Sequence, residues 1–136
     1  MTERRELLAN RRQICLSCGQ LEGGNEIPRT TDIALPRGTR HPAGFDHATW
    51  HSFNLDTFNI GRDAFDVEGI KLHAYSSERT VIDCYRLAHI EGQDAATTAL
   101  KRWLRQPGHA PSHLLAMARS FPQALARIHQ ALGVLL

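Results

Sequence analysis

No apolar run in this sequence approaches the ~20 residues a helix needs to cross a bilayer, so no membrane contact is expected. The opening MTERRELLANRR is basic and lacks the apolar centre of a secretory signal, which points to the cytoplasm. Cysteine is scarce. The three present, Cys15, Cys18 and Cys84, cannot all pair, and a reducing compartment argues against disulfides. Neither a G-x-x-x-x-G-K-S/T loop nor a G-x-G-x-x-G stretch after a strand occurs, so nucleotide binding has no motif support. Internal repeats, low-complexity tracts and long linkers are missing too. What is there is 136 residues, 42% hydrophobic and 22% charged, which suits one globular domain.

The chemistry-bearing residues do not converge. Cys15-Leu16-Ser17-Cys18 is a lone C-x-x-C preceded by a charged, helix-favouring segment rather than by the buried strand of a redox site. Zinc would need two further ligands. Both thiols are therefore expected on one helical face toward the core. Cys84 has Asp83 and His89 nearby, but five residues along a helix turn Cys84 and His89 about 140° apart. Core packing is the expectation for Cys84. Asp66-Val67-Glu68-Gly69-Ile70-Lys71 is loosely like a nuclease strand, yet Glu68 and Lys71 are three apart and a strand sends them to opposite faces. Of the eight histidines, His109 and His113 are four apart, and Pro111 interrupts them. His41 and His47 fall in a loop. No catalytic, cofactor or metal residue is assigned, and the chain reads as a non-enzyme.

Hydrophobic periodicity divides the chain into an N-terminal helix and loop (1–26), a sheet region (27–75) and a helical region (76–136). Residues 3–16 read as a helix, and Gly19–Glu26 as a loop. Thr30–Leu35 reads as a strand closed by the turn Pro36-Arg37-Gly38, and Thr39–His47 as irregular. Ala48–Leu55 has a two-residue period with Thr49, His51, Phe53 and Leu55 on one face and Trp50 on the other. Asp56–Ile60 could make one helical turn. Ala64–Glu68 and Ile70–Tyr75 flank Gly69 as a hairpin. Helices follow over Glu78–Glu91, capped by Gly92, then Asp94–Arg105, Pro111–Arg119 and Pro122–Leu135. Strands first and helices afterwards predict an α+β fold: a small antiparallel sheet of about four strands under a layer of about four helices.

Organisation centres on Ile70–His89, where a strand period gives way to a helical one. Ser76 and Ser77 can accept an unpaired first-turn N–H, and Glu78 places negative charge at the positive end of the helix. Arg79 and Asp83 are spaced i,i+4, and Asp83 and Arg86 i,i+3, for ion pairing. An arginine in that first turn can also donate to carbonyls at the strand end, so Ser76, Ser77, Glu78, Arg79 and Asp83 read as a structural junction. Net charge is only +2, but basic residues cluster. Arg4, Arg5, Arg11 and Arg12, then Arg37 and Arg40, then Lys101, Arg102 and Arg105 are the candidate contacts to a partner or to nucleic acid.

Several of these stretches resemble one family. Tyr75-Ser76-Ser77-Glu78-Arg79-Thr80-Val81-Ile82-Asp83-Cys84 is similar to the helix-start signature of AbiEi-type antitoxins of type IV toxin–antitoxin systems. Ile33-Ala34-Leu35-Pro36-Arg37-Gly38 is similar to their "ALPRG" strand and turn. Glu68-Gly69-Ile70 and Gly92-Gln93-Asp94-Ala95-Ala96 with Ala99-Leu100 follow in the family's order. The likeness spans roughly Ile27 to Arg105. It departs from the family at Ser77, often proline there, and at Leu87-Ala88-His89, which replaces a more basic run. About 26 residues precede the likeness, too few for the family's winged helix-turn-helix, so only the C-terminal antitoxin domain is implied. The resemblance implies a cytoplasmic, cofactor-free protein acting on a nucleotidyltransferase-fold toxin, or on a defence complex if carried by a phage or mobile element. The alternative is a DNA-binding regulator of such an operon.

Overall fold

The computed structural model describes residues 13–15, 31–40 and 48–136. The strands are β1 (Gln13–Cys15), β2 (Thr31–Pro36), β3 (Ala48–Phe53), β4 (Arg62–Val67) and β5 (Ile70–Tyr75). The helices are α1 (Ser77–Arg86), the single turn α2 (Ala88–Glu91), α3 (Gln93–Arg105), α4 (Pro111–Ala118) and α5 (Pro122–Leu135). The fold is thus α+β, strands preceding helices among the described residues.

The sheet differs from the expected antiparallel one. β2 and β3 pair in parallel, from Thr31 opposite Ala48 to Pro36 opposite Phe53. β4 and β5 form an antiparallel hairpin, from Arg62 opposite Tyr75 to Val67 opposite Ile70. These are two small two-stranded units. They join in the order β3-β2-β1-β5-β4 only through the three residues of β1, antiparallel to β2 and parallel to β5. Parallel pairing requires the chain to return to the start of β2 before β3 begins, and the connection between Pro36 and Ala48 is long enough for that.

Expectations for the first 26 residues lie outside the described residues except at Gln13–Cys15. There the expected helix is replaced by a strand, because β2 and β5 present backbone partners on both sides and tertiary pairing outweighs local propensity. Cys15 is therefore on a strand, not on a helical face toward the core. Loop histidines His41 and His47 also lie outside the described residues.

The β4–β5 turn takes in Glu68, expected as the last residue of the first strand, together with Gly69. Glu68 (φ 52°) and Gly69 (φ 80°) adopt positive φ in succession, the backbone of a two-residue hairpin turn whose twist matches that of the flanking strands. β3 stops at Phe53, so Leu55, expected on one face with Thr49, His51 and Phe53, lies outside the strand and is 63% exposed. The helical turn expected over Asp56–Ile60 appears as consecutive turns, closed by Thr57 N–H to Asn54 O (3.3 Å) and Ile60 N–H to Thr57 O (3.2 Å).

Helix α1 is buried at every position from Arg79 to Tyr85, so it is surrounded rather than amphipathic. α3, α4 and α5 pack around it, and β5 leads into it. The single helix expected over Glu78–Glu91 is interrupted at Leu87 (φ −98°, ψ 12°). Its N–H still bonds Asp83 O at 2.8 Å, but the opened ψ makes the next turn start afresh at Ala88. Gly92 then closes α2 at φ 102°.

Two apolar clusters result. The larger joins α1 to the later helices through residues such as Ile82, Tyr85, Leu100, Trp103, Leu114 and Ile128. The smaller is Ala34, Phe53, Phe58 and Tyr75, on the sheet side.

Candidate functional site: a buried arginine beneath a cationic cleft

Local sequence builds the junction first. Ser76 has the extended backbone of an N-cap (φ −62°, ψ 166°) and its Oγ accepts from Arg79 N–H at 3.3 Å, as its position before the helical period predicts. Ser77 has a different role: its Oγ accepts from the Trp103 indole at 3.2 Å and so ties α1 to α3. Glu78 sits in the first turn, at the positive end of the helix.

Arg79 is wholly buried. Its Nε donates to both Asp83 carboxylate oxygens at 3.1 Å, and its Nη1 donates to the carbonyls of Thr57 (2.7 Å) and Ile60 (2.8 Å). Those carbonyls belong to the turns after β3, not to a strand end. The guanidinium also lies 4.1 Å from the Tyr75 ring centre and 4.6 Å from that of Phe121. One cation thereby bridges the sheet-side cluster, through Tyr75, and the helical cluster, through Phe121. A desolvated cation–ring contact contributes about 2 kcal/mol.

Asp83 balances this charge. Its Oδ1 also accepts from Arg86 Nη1 at 2.6 Å. Burial raises the Asp83 carboxyl above its ordinary 3.8, while the guanidinium groups of Arg79 and Arg86 act in the opposite direction. Two arginines against one carboxylate leave the cluster one positive charge in excess. Burial likewise raises the Tyr85 phenol above 10.0, opposed by Thr97.

That excess charge lies under a cleft of about 720 Å³. Arg37 enters from the turn after β2, held there by its own N–H to Phe53 O at 2.8 Å. Arg86 enters from the end of α1, its guanidinium 4.6 Å from the Phe53 ring centre and 4.8 Å from that of Phe121. Arg127 enters from α5, anchored by a 3.3 Å bond to Tyr85 O. Trp50, His51 and Phe53 line the β3 side, and His89 reaches in from α2. Among the described residues that line the cleft, none is aspartate or glutamate. Such a surface attracts anions and offers aromatic surface beside them.

Of the candidate contacts, Arg37 lies in this cleft. Arg40 is exposed on the stretch that follows. Lys101, Arg102 and Arg105 occupy the second half of α3 and do not line the cleft, so the structure separates the two basic groups. Arg4, Arg5, Arg11 and Arg12 lie outside the described residues. Arg127 and the cleft-lining role of Arg86 are not evident from spacing, since the three arginines come from separate elements. The signal available was weak: an arginine, Arg127, beside the apolar stripe of Leu125, Ile128 and Leu132.

His109 and His113 do not form a pair of ligands. His109 precedes α4, stacks on Trp103 at 4.6 Å, and donates from Nδ1 to Trp103 O at 2.8 Å. Among the described residues no group of His, Cys, Asp and Glu has metal-binding geometry. Cys84 is buried as expected, but it is disulfide-bonded, which corrects the expectation of unpaired thiols. The compartment argument concerned redox environment and carried nothing about which cysteines the fold brings together; Cys15 and Cys18 are the others in the sequence.

No helix among the described residues is long and apolar enough to cross a membrane. Compared with known proteins, the chain matches no family model, and no curated protein is significantly similar to it.

Proposed function

We propose that this chain is a non-enzymatic, antitoxin-like binding module that counteracts a toxin or a defence protein by docking on it. The observation that carries the reading is the one-signed cleft: three arginines and no carboxylate among its described lining. A partner surface rich in acidic groups would complement it, and the salt dependence of such contacts would be steep. The resemblance of Tyr75–Cys84 to AbiEi-type antitoxins supports the same reading. Those residues form the buried junction that sets α1 against the sheet, and the end of α1 carries Tyr85 and Arg86 into the cleft. A nucleotidyltransferase-fold toxin is the partner that the resemblance suggests. A cytoplasmic setting belongs to this reading, and requires the Cys84 disulfide to persist against reducing thiol pools there.

Co-expression with the product of the adjacent gene tests the proposal. Wild type restores growth, and Arg37→Glu with Arg127→Glu fails to, although the variant melts at the wild-type temperature. Equal rescue by both proteins, or absence of any effect of the wild type on growth, removes the reading. The alternative, a DNA-binding regulator, draws on Lys101, Arg102 and Arg105 instead. It is favoured if duplex DNA binds with log K falling linearly in log salt and charge reversal at those three residues abolishes binding.

A further inference from the structure

The cleft has the volume of a small-molecule site, and its positive charge is only partly balanced by the protein. Arg79 is wholly buried, yet its Nη2 has no hydrogen-bond partner. Its guanidinium lies 4.6 Å from the Phe121 ring centre and 5.6 Å from that of Phe53, and its Nη1 bonds Thr57 O. Those three residues all line the cleft, so Arg79 stands directly behind its wall. A buried cation with a bare N–H is costly unless negative charge stands close to it. Asp83 supplies some, but shares it with Arg86.

Two guanidinium groups front the cleft, each with one bond to the protein. Arg86 gives Nη1 to Asp83 at 2.6 Å and lies against the Phe53 and Phe121 rings, its side chain 24% exposed. Arg127 gives Nη1 to Tyr85 O at 3.3 Å. Among the described residues neither bonds through Nε or Nη2, so each keeps an edge of paired N–H groups for an oxyanion. The first turn of α5 has no side-chain cap, and Phe121 to Ala124 line the same cleft, which adds partial positive charge.

We propose that the cleft binds a dianionic phosphate group on the open edges of Arg86 and Arg127, in front of the buried Arg79. Arg79, Arg86 and Arg127 less Asp83 leave two positive charges, which a phosphate matches and a single carboxylate does not. Arg37, exposed at the rim, adds attraction at longer range. The chemistry is shared by free phosphate and by a small phosphate monoester. The inference goes beyond the antitoxin reading and does not rest on it, since ligand binding needs only the purified chain.

Calorimetric titration of the full chain at low salt is the test, with inorganic phosphate, glycerol 3-phosphate and acetate as probes. Phosphate binds, and acetate binds at least about ten-fold more weakly. Arg127→Ala, at an exposed position on α5, weakens phosphate by about ten-fold at an unchanged melting temperature. Gln123→Glu, which sets a carboxylate at the cleft, weakens it similarly, whereas Lys101→Ala on α3, away from the cleft, leaves it unchanged. Glycerol 3-phosphate tighter than inorganic phosphate assigns the seat to a monoester, and equal or weaker binding assigns it to free phosphate. Three results overturn the proposal: no binding of either phosphate at millimolar concentration, acetate binding as tightly as phosphate, or phosphate affinity untouched by both Arg127→Ala and Gln123→Glu. None of these results bears on whether the chain neutralises a toxin, which the growth assay reads separately.

Discussion

Gly61 passes so close to Arg79 that a Cβ built on the glycine would lie 2.8 Å from the arginine Cβ. The same added atom would meet Met117 Sδ and Ser76 Oγ at 3.1 Å each. Gly61 also has φ +73°, and its carbonyl accepts from Ser76 N–H at 2.7 Å. The turn before β4 is thus pressed onto the first residues of α1. Gly61→Ala combines backbone strain with a contact that rigid neighbours cannot relieve, and costs about 2–4 kcal/mol. Urea unfolding monitored by circular dichroism measures it, and a midpoint equal to that of the wild type would show that the turn is free to move away.

Arg79 is the second test of the same junction. Arg79→Met keeps much of the side-chain volume but leaves the Thr57 and Ile60 carbonyls without a donor and Asp83 with Arg86 as its remaining cation. Breaking a buried pair in this way costs about 3–5 kcal/mol. Arg79→Lys restores the charge without the planar fork and recovers only part of the loss. Full recovery by lysine would mean that charge alone, and not the paired geometry, holds the two clusters together.

The sign of the Asp83 shift can be read from acid unfolding. Burial raises its folded carboxyl above 3.8, so below that value the folded state holds the proton more tightly than the unfolded chain does. The resulting stability is fully present below pH 3.8 and is lost as pH rises through the folded pKa. Measured against Asp83→Asn, wild type should therefore gain relative stability on acidification into that window. A gap that narrows on acidification would show that the two arginines outweigh burial.

The junction was legible because it is local. A serine before a helical period, an acid after it and i,i+4 spacing of Arg79 and Asp83 lie within eight residues, and the structure uses all three. The hairpin at Gly69 and the proline starts of α4 and α5 were legible for the same reason. What escaped is non-local. The identity of β1 depends on partners in β2 and β5, which no periodicity in Gln13–Cys15 encodes. Parallel pairing of β2 with β3 depends on the path between them. The cleft draws Arg37, Arg86 and Arg127 from positions far apart in sequence; Arg37 stood out as a candidate contact and Arg86 as an ion-pair partner of Asp83, but nothing in their spacing joined them to Arg127. Spacing also could not foresee that Arg79 would be buried against aromatic rings from β5 and from the start of α5.

The claim that this chain works through its cationic cleft is tested most directly by the dissociation constant of its complex with the protein product of the adjacent gene, measured across a salt series. Affinity for the wild type should fall steeply as salt rises, and Arg37→Glu with Arg127→Glu should weaken the low-salt complex by about 100-fold. A dissociation constant untouched by both charge reversals and by salt would contradict the claim and place the working surface elsewhere on the molecule.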